Sequence, residues 1–335
     1  MLMKAACLSA VGGPEVLRYE ELPRPVAGPG QVLVRTAAVS VNPIDTYIRS
    51  GAVRFNLPSP WIVGCDLAGT VDAVGEGCQR FQPGDRVWGS NQGLFGRQGT
   101  FAEYCAVDEH WLYPLPQEVS FETAAAGALV GITAHLGLFL HGGLTAGEVL
   151  FVPGGAGGVG SAVIQLAKAA GATVITTAST PEKATLCQQL GADHVIQYLA
   201  EDADSRLRDI TAHTGPIQLW FETLRTPSLE RSIPFMAMRG RIILMAGRDA
   251  RPIFPVGPFY VKDLRAIGFA MFNASPAEQR QAAEQLNQLL VSGVWTPPIG
   301  VRMTLDQAAE AHQLQEANTL HNKREFNGKI VLKPL

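Results

Sequence analysis

The sequence of 335 residues lacks paired cysteines, an excess of charge of one sign and an apolar run long enough to span a membrane. Its five cysteines are scattered without a C-x-x-C motif, which favours reduced thiols and a cytoplasmic location. The net charge is −3 with acids and bases interspersed, which argues against binding to nucleic acid or an anionic membrane surface. The longest apolar stretch, residues 124–140, is short of a spanning length and contains His135, so we expect a buried helix there.

Two kinds of local pattern follow each other along the chain, whose length fits about two domains. Short strand patterns bounded by glycine and proline predict a rolled, partly antiparallel β domain over residues 1–128. From residue 129 strands alternate with helices, which predicts an α/β domain with a doubly wound parallel sheet over 129–273. Residues 274–335 contain two helical patterns and a last strand, and we expect them to return to the first domain.

A glycine-rich loop follows the strand VLFV (149–152) and precedes a helix predicted over 158–170. Gly155, Gly157 and Gly160 match the spacing G-x-G-x-x-G. Glycines let the backbone turn tightly and approach a pyrophosphate, and the helix start offers free N–H groups and the positive end of the helix dipole. This context predicts a dinucleotide-binding unit rather than a glycine-rich turn without a ligand.

The end of the next strand bears on which dinucleotide is bound. An NAD site of this kind closes the strand with an Asp or Glu that binds the ribose 2′-hydroxyl. In VITTASTPEK (174–183) the strand closes without an acid, and Ser179, Thr180 and Lys183 follow. Hydroxyl groups and an ammonium group suit a 2′-phosphate, so NADPH is predicted. Ser179 or Thr180 could also cap the next helix, with Lys183 an ordinary surface residue, and both interpretations can hold at once.

These features belong to a longer resemblance. The chain is similar, almost end to end, to the zinc-independent quinone oxidoreductases of the medium-chain dehydrogenase/reductase superfamily, near the ζ-crystallin type. The resemblance implies a GroES-like β domain, a Rossmann domain, NADPH in the cleft between them and hydride transfer to a quinone. The segments that carry it are VNPIDTYIRSG (41–51), VGCDLAGTVDAVG (63–75), FQPGDRVWG (81–89), GTFAEY (99–104), GGAGGVG (154–160) and LDQAAEAH (305–312).

Matching positions in the family imply a set of cofactor contacts. Met271 and Phe272 would end the last strand near the nicotinamide, although core or subunit packing explains them equally well. Asn42, Tyr47 and Thr133 would close the site from the other domain. The remaining implied contacts are Ala156, Gly157, Gly158 and Val159 along the pyrophosphate, Ser179, Lys183 and nearby Tyr198 at the 2′-phosphate, and Ala246, Gly247 and Arg248 at the carboxyl edge of the sheet.

The resemblance also implies a site without a metal. Zinc-dependent relatives carry a Cys where this chain has Asn42, and Gly-His-Glu where it has Gly64, Cys65 and Asp66. A tetrahedral zinc site needs three or four spaced ligands, so we expect none here. Tyr47 and Asn42 are then the catalytic candidates. Tyr47, on a short helix for which Asn42 suits the N-cap, could donate a proton or hydrogen bond, or only pack against the nicotinamide.

Other functions and an assembly are also predicted. Relatives reduce 2-alkenals or enoyl thioesters with the same cofactor, and a non-catalytic NADPH-binding or structural, crystallin-like protein is a further alternative. The slightly acidic charge argues against RNA as a partner. The pattern LRAIGFAMF (264–272) suits the last strand of a parallel sheet, an edge that a symmetry mate could cover. It predicts a homodimer or a tetramer built from dimers.

Overall fold

The computed structural model describes residues 1–321, 323 and 325–335. This part of the chain divides into two compact units, Met1–Leu129 with Ala283–Leu335, and Val130–Ala282. The first division lies one residue from the boundary that the sequence suggested, and the second lies nine residues beyond it.

The strands are numbered along the chain. They are β1 (Leu2–Leu8), β2 (Arg18–Pro23), β3 (Gln31–Val41), β4 (Trp61–Ile62), β5 (Asp66–Val74), β6 (Arg86–Gly89), β7 (Tyr104–Asp108), β8 (Leu112–Pro114), β9 (Val149–Val152), β10 (Thr173–Ala178), β11 (His194–Gln197), β12 (Ile217–Glu222), β13 (Met236–Leu244), β14 (Arg265–Gly268), β15 (Ile299–Thr304) and β16 (Lys329–Lys333).

The helices are numbered in the same way. They are α1 (Pro43–Arg49), α2 (Phe121–His135), α3 (Gly158–Ala169), α4 (Pro181–Gln189), α5 (Ala203–Thr214), α6 (Leu229–Phe235), α7 (Val256–Val261), α8 (Pro276–Val291) and α9 (Ala308–Thr319), with 3₁₀ turns at Pro14–Val16, Glu109–Trp111, Met271–Asn273 and Leu305–Gln307 and a π-helical turn at Leu136–His141.

The first unit is built from two sheets. The smaller has the order β2-β1-β4, with antiparallel pairs. The larger has the order β15-β16-β3-β5-β6-β8, and β7 also pairs with β3. The C-terminal strand β16 is antiparallel to β3 and joins it directly before α1, which begins two residues after β3 ends. The C-terminal segment therefore lies beside the start of α1.

The second unit is a parallel sheet in the order β11-β10-β9-β12-β13-β14. This order confirms the predicted doubly wound sheet, in which ligands bind where the strand order reverses, beside the first strand. Here that strand is β9, which leads into the glycine loop. The sheet holds a core that includes Phe151 and Trp220, whose ring centroids are 4.1 Å apart.

The apolar stretch 124–140 lies in α2 and the π-helical turn that continues it. The helix Phe121–His141 has 21 residues and is long and apolar enough to cross a membrane, so the prediction that this stretch is too short was wrong. However, 78% of its most apolar window is buried within the protein. The expectation of a buried helix is confirmed.

The last strand of the parallel sheet is shorter than the sequence predicted. Strand β14 ends at Gly268, because its partner β13 ends at Leu244 and no further pairing residue remains there. Met271 and Phe272 lie in a 3₁₀ turn after the strand, so the prediction that they end the strand is wrong.

Candidate active site

The glycine loop forms a cradle that side chains would fill. Gly154 has a φ of +69°, a left-handed conformation that favours glycine. A Cβ at Gly155 would lie 2.4 Å from the Thr176 hydroxyl oxygen, and one at Gly160 would lie 2.3 Å from the Gly154 carbonyl oxygen. Both positions therefore require glycine for packing. Gly157 differs, because it is exposed and its Cβ would meet only the Gly154 carbonyl oxygen, at 3.3 Å.

Helix α3 begins without a side-chain cap among the described residues. Gly157 is its N-cap, so no side-chain oxygen accepts from the first-turn N–H groups of Gly158 and Val159. Ala156, next to the cap, is buried. The N-terminus of a helix with unsatisfied N–H groups and the positive end of its dipole attracts anions. The cradle and the uncapped helix start together fit a dinucleotide pyrophosphate.

Strand β10 holds the glycine loop in place. The Gly154 N–H donates to the Thr177 hydroxyl oxygen at 3.0 Å, and the Gly155 N–H donates to the Thr177 carbonyl at 3.2 Å. Thr180, not Ser179, caps α4, because its Oγ1 accepts from the Lys183 N–H at 3.3 Å. Ser179 is 9% exposed at the end of the same strand.

An acid near this end of β10 was missed by the sequence analysis. Glu182 is exposed, and a hydrogen bond from the Thr180 side chain lowers its pKa. Glu182 was visible in the sequence two residues after Thr180. Whether its carboxylate lies near the end of β10 depends, however, on which face of α4 it occupies. Glu182 adds a negative charge beside the residues predicted to bind a 2′-phosphate.

The other predicted cofactor contacts in the second unit lie after the ends of its strands. The Tyr198 N–H donates to the Ala178 carbonyl at 3.2 Å, which places Tyr198 next to the end of β10, with 41% of the residue exposed. After β13, Ala246 is half-buried, and Gly247 has a φ of +83° and approaches Pro227. Arg248 is exposed and pairs with the adjacent Asp249 at 3.0 Å. The structure brings the β10 end, Tyr198 and the glycine loop together.

Two further predicted contacts in this unit are buried. Thr133 lies in α2 and is 3% exposed, and its Oγ1 has no hydrogen-bond partner among the described residues. It belongs to the unit that contains the glycine loop, so the prediction that it comes from the other domain is wrong. The single helix α2 crosses the division between the units, which a sequence pattern cannot locate to a residue. Met271 is 5% exposed, as core packing would require, and Phe272 is half-buried.

Asn42 lies at the N-cap of α1, but its side chain does not cap the helix in the usual way. The Asp45 carboxylate instead accepts from the Asn42 backbone N–H at 2.8 Å. Pro43 takes the first helical position, and Gly51 follows the helix with a φ of +76°. Tyr47 lies on this helix and is half-buried. Asn42 itself is fully buried, and its role as a cofactor contact stays a prediction.

The Asn42 side chain joins a buried polar cluster around Asp66, at the start of β5. The Asp66 carboxylate accepts from the Asn42 amide at 2.7 Å, the Ser40 hydroxyl at 2.8 Å and the Ser90 hydroxyl at 2.6 Å. The Lys329 ammonium lies 4.0 Å from the same carboxylate. Lys329 also donates to the Asn42 side-chain oxygen. Lys329 was not predicted as a site residue from the sequence, although a charged residue in the apolar strand GKIVLKPL was a signal.

Burial shifts the protonation of this cluster. It raises the pKa of Asp45 to about 7, and the nearby Asp66 charge adds to the shift, while Cys65, Asn42 and Lys329 oppose it. Burial and the two carboxylates raise the pKa of Cys65 well above its usual range, so it remains a neutral thiol. Burial lowers the pKa of Lys329, and the carboxylates raise it. The cluster is preorganised and closed to solvent.

A further buried carboxylate lies at the carboxyl end of β12. Glu222 is 4% exposed and accepts from the Trp220 indole at 3.1 Å and the Leu224 N–H at 2.8 Å. Burial raises its pKa. The next residue, Thr223, donates to the Pro153 carbonyl at 2.6 Å, directly before the glycine loop. Thr223 therefore supports this loop from the side of β12, and Glu222 holds the turn that follows the strand.

Comparison with known proteins shows which family has this fold and sequence. The model for the alcohol dehydrogenase GroES-like domain matches residues 28–117, and the model for the zinc-binding dehydrogenase matches residues 158–289. The human quinone oxidoreductase is 32% identical over 332 residues, covering 99% of this chain and 98% of the human protein. The chain belongs to the quinone oxidoreductase group of the medium-chain dehydrogenase/reductase superfamily. It is an oxidoreductase, and the predicted family is confirmed.

Solved structures agree on the fold of this superfamily but differ in the cofactor that they name. A mycobacterial protein solved in complex with NADPH has a TM-score of 0.85 and 33% identity, covering 99% of this chain and 100% of that one. An NAD-dependent alcohol dehydrogenase has a TM-score of 0.88 and 32% identity, covering 99% of both chains. The choice of dinucleotide must therefore be argued from the residues of the site.

Proposed function

We propose that this oxidoreductase transfers a hydride from NADPH to a quinone. The observation that carries the proposal is the glycine cradle, which is hydrogen-bonded to a β10 end that closes with Ser179 and Lys183 rather than with a carboxylate. The named activity of the human relative and the cofactor of the mycobacterial structure support it. The exposed Glu182, in the first turn of α4, works against a 2′-phosphate, whereas the Ser179 hydroxyl and the Lys183 ammonium favour it.

Each group of residues has a defined task in this proposal. The α3 start holds the pyrophosphate through backbone N–H groups, and Ser179, Lys183 and Tyr198 bind the 2′-phosphate. The orphaned Thr133 hydroxyl gains a hydrogen-bond partner when the site is filled. When bound, NADPH supplies the hydride, and the protein contributes orientation and electrostatics.

We further propose that the reaction uses no metal. In the first unit the positions that hold zinc ligands in other branches contain Asn42 and a neutral Cys65 thiol, and the Lys329 ammonium already faces Asp66. Among the described residues there is no group of three His, Cys, Asp or Glu side chains that could hold a metal ion. Stoichiometric zinc by elemental analysis, with activity lost to a chelator, would contradict this part of the proposal.

One acceptor and cofactor screen tests the function. Purified protein is given NADPH or NADH with an ortho-quinone, a para-quinone, a 2-alkenal or an enoyl thioester, and cofactor oxidation is followed at 340 nm. We expect a quinone with NADPH to give the highest kcat/KM. Preferred turnover of an alkenal or thioester would favour the reductase alternative. NAD reduction by an alcohol would favour the activity named for the alcohol dehydrogenase neighbour. Cofactor binding without turnover of any acceptor would favour a non-catalytic role.

We also propose a cytoplasmic homodimer or a tetramer built from dimers. Four of the five cysteines are buried and all are unpaired, as suits a reducing compartment. Strand β14 forms the edge of the parallel sheet and is largely exposed. The segment that precedes β14 along the chain carries exposed apolar side chains, namely Ile253, Phe254, Val256, Tyr260 and Val261.

A further inference from the structure

Lys329 occupies an unusual place for a lysine, because it is nine-tenths buried or more in the C-terminal strand β16. Burying an ammonium group is costly unless hydrogen bonds and opposite charge compensate it. Its Nζ donates to the Val41 carbonyl at 2.8 Å and to the Asn42 side-chain oxygen, and it faces the Asp66 carboxylate at 4.0 Å. All these partners lie immediately before or beside α1.

These contacts fix the orientation of the Asn42 amide. The side-chain oxygen accepts from the Lys329 cation, while the side-chain nitrogen donates to the Asp66 anion at 2.7 Å. The Asn42 backbone N–H donates to Asp45, and the Asn42 carbonyl accepts from the Asp45 N–H at 3.1 Å. Every polar group of Asn42 therefore makes a hydrogen bond. These bonds fix the position of the first turn of α1.

We propose that Lys329 is a positioning residue for Tyr47, acting through Asn42 and the start of α1, with Asp66 as its buried counter-charge. The inference rests on the proposed function for its catalytic consequence. Tyr47 lies five residues after Asn42 on a helix of seven residues, so a shift of the first turn moves the tyrosine ring directly. Small displacements of a positioned group can cost up to about 100-fold in rate, because hydride transfer depends strongly on geometry.

The last turn of α1 is held by contacts that do not involve Lys329, so displacement of the helix start can be distinguished from unfolding of the unit. Arg49 has a side chain that is 1% exposed, pairs with Glu316 of α9 and donates to the Gly12 carbonyl at 2.9 Å. Loss of Lys329 therefore loosens the first turn of α1, where Asn42 keeps its hydrogen bonds to Asp66 and Asp45, while the last turn stays attached. The expected result is a displaced helix start rather than an unfolded unit.

The first test uses Lys329→Met, with Lys333→Met as the matched control. Lys333 lies on the same strand but is exposed and pairs with Glu122. In Lys329→Met we expect turnover with a quinone to fall about tenfold or more, with the NADPH Kd changed less than about threefold. Hydrogen exchange of the cofactor-free protein should be about tenfold or more faster at the amides of residues 45–50 and unchanged in the control.

Lys329→Met leaves the Asp66 carboxylate buried without its counter-charge, which could prevent folding. A second variant controls for this. Lys329→Met with Asp66→Asn removes both charges. The amide oxygen can accept from one of the two serine hydroxyls, and the amide nitrogen can donate to the hydroxyl oxygen of the other. We expect its thermal stability to recover towards that of the unmutated protein, while turnover and the fast exchange of α1 do not recover. Full recovery of turnover along with stability, or unchanged exchange over 45–50 in both variants, would overturn the inference. If the unmutated protein reduces no quinone, the proposed function fails, and the exchange result still decides this inference.

Discussion

At the scale of single residues, the choice of cofactor depends on charges around the end of β10. Lys183 is half-buried and offers an ammonium group, Ser179 offers a hydroxyl, and Glu182 opposes them with an exposed carboxylate. A charge-assisted hydrogen bond contributes roughly 1.5–3 kcal/mol, whereas an exposed like charge at greater distance is screened by salt. The donors should therefore outweigh Glu182 and favour NADPH.

Changing Lys183 tests this balance. Lys183→Ala should raise the KM for NADPH about tenfold or more, because one charge-assisted hydrogen bond is lost, and leave the KM for NADH nearly unchanged. Lys168→Ala is the control, since Lys168 pairs with Asp193 at the amino-terminal end of β10. Glu182→Gln should act in the opposite direction and lower the KM for NADPH at low salt. Equal use of both cofactors by the unmutated protein would rule out the proposed preference.

Tyr47 can contribute a hydroxyl group or only a ring, and two substitutions separate these roles. General acid catalysis is worth about 10²–10⁴-fold, but a quinone accepts a hydride readily and water can complete its protonation. We therefore expect Tyr47→Phe to lower kcat with a quinone by less than about tenfold. Tyr47→Ala should cost more and weaken NADPH binding, because the ring is removed. A loss of about 100-fold in the Phe variant, with normal NADPH binding, would show that the hydroxyl is a catalytic acid.

At the scale of elements, glycines of the same loop have different roles: Gly160 is required for packing, and Gly157 is predicted to matter for cofactor binding. In Gly160→Ala the new Cβ would lie 2.3 Å from the Gly154 carbonyl, so the loop must shift and the melting temperature should fall by several degrees. In Gly157→Ala the nearest atom is 3.3 Å away, so stability should change little. Its Cβ lies at the helix start, so the Kd for NADPH should rise about tenfold. Calorimetry and titration measure both, and equal effects of the two variants would contradict this division.

The sequence predicted the presence and type of the helices and strands more reliably than the residues at which they end. Helices α3 and α4 and strands β9 to β13 follow from hydrophobic periodicity and from glycine and proline at their ends, because these signals are local. The end of β14 depends on where its neighbour β13 stops, and no local pattern contains that information. The Lys329 cluster unites residues up to 289 positions apart, so only the folded chain shows that Ser40, Asn42 and Lys329 meet.

Helix α9 carries a further buried titratable group, His312, which predicts a pH dependence of stability. His312 is fully buried, neither ring nitrogen has a hydrogen-bond partner among the described residues, and Phe101 packs against it edge-on. Burial, with a smaller effect of the Arg49 charge, lowers the pKa of His312 to about 3. The unfolded chain binds this proton near pH 6.5, so the contribution of His312 to stability is complete above that pH and decreases as the pH falls towards 3.

His312→Leu should remove this acid sensitivity. Between pH 6.5 and 4.5 the unmutated protein should lose on the order of 2–3 kcal/mol of unfolding free energy more than the variant. Urea unfolding at both pH values measures the difference, with exposed His213→Leu as the control. Asp45 acts in the opposite direction, because its raised folded pKa adds stability at low pH that is lost as the pH rises towards 7. The comparison between variant and parent cancels it. Parallel pH curves would contradict the assignment.

At the scale of the whole molecule, one exposed region suggests an assembly. Strand β14 offers unpaired backbone groups at the sheet edge, and α7 has no buried residue. Ile253, Tyr260 and Val261 are each about two-thirds exposed. Exposed sheet edges and contiguous apolar patches are uncommon in monomers and mark interfaces. A second copy placed by a two-fold axis would cover both features with one self-complementary contact.

Substitution within this region should therefore change the mass in solution. We expect light scattering to give a dimer or tetramer mass for the unmutated protein at micromolar concentration. Tyr260→Glu places a charge in the contact and should shift the protein towards the monomer, because burying an unpaired carboxylate is costly. Val26→Glu is the control, since Val26 is 86% exposed and belongs to the other unit. A monomer mass at every concentration, or an unchanged mass in the Tyr260 variant, would show that this edge is not the contact between copies.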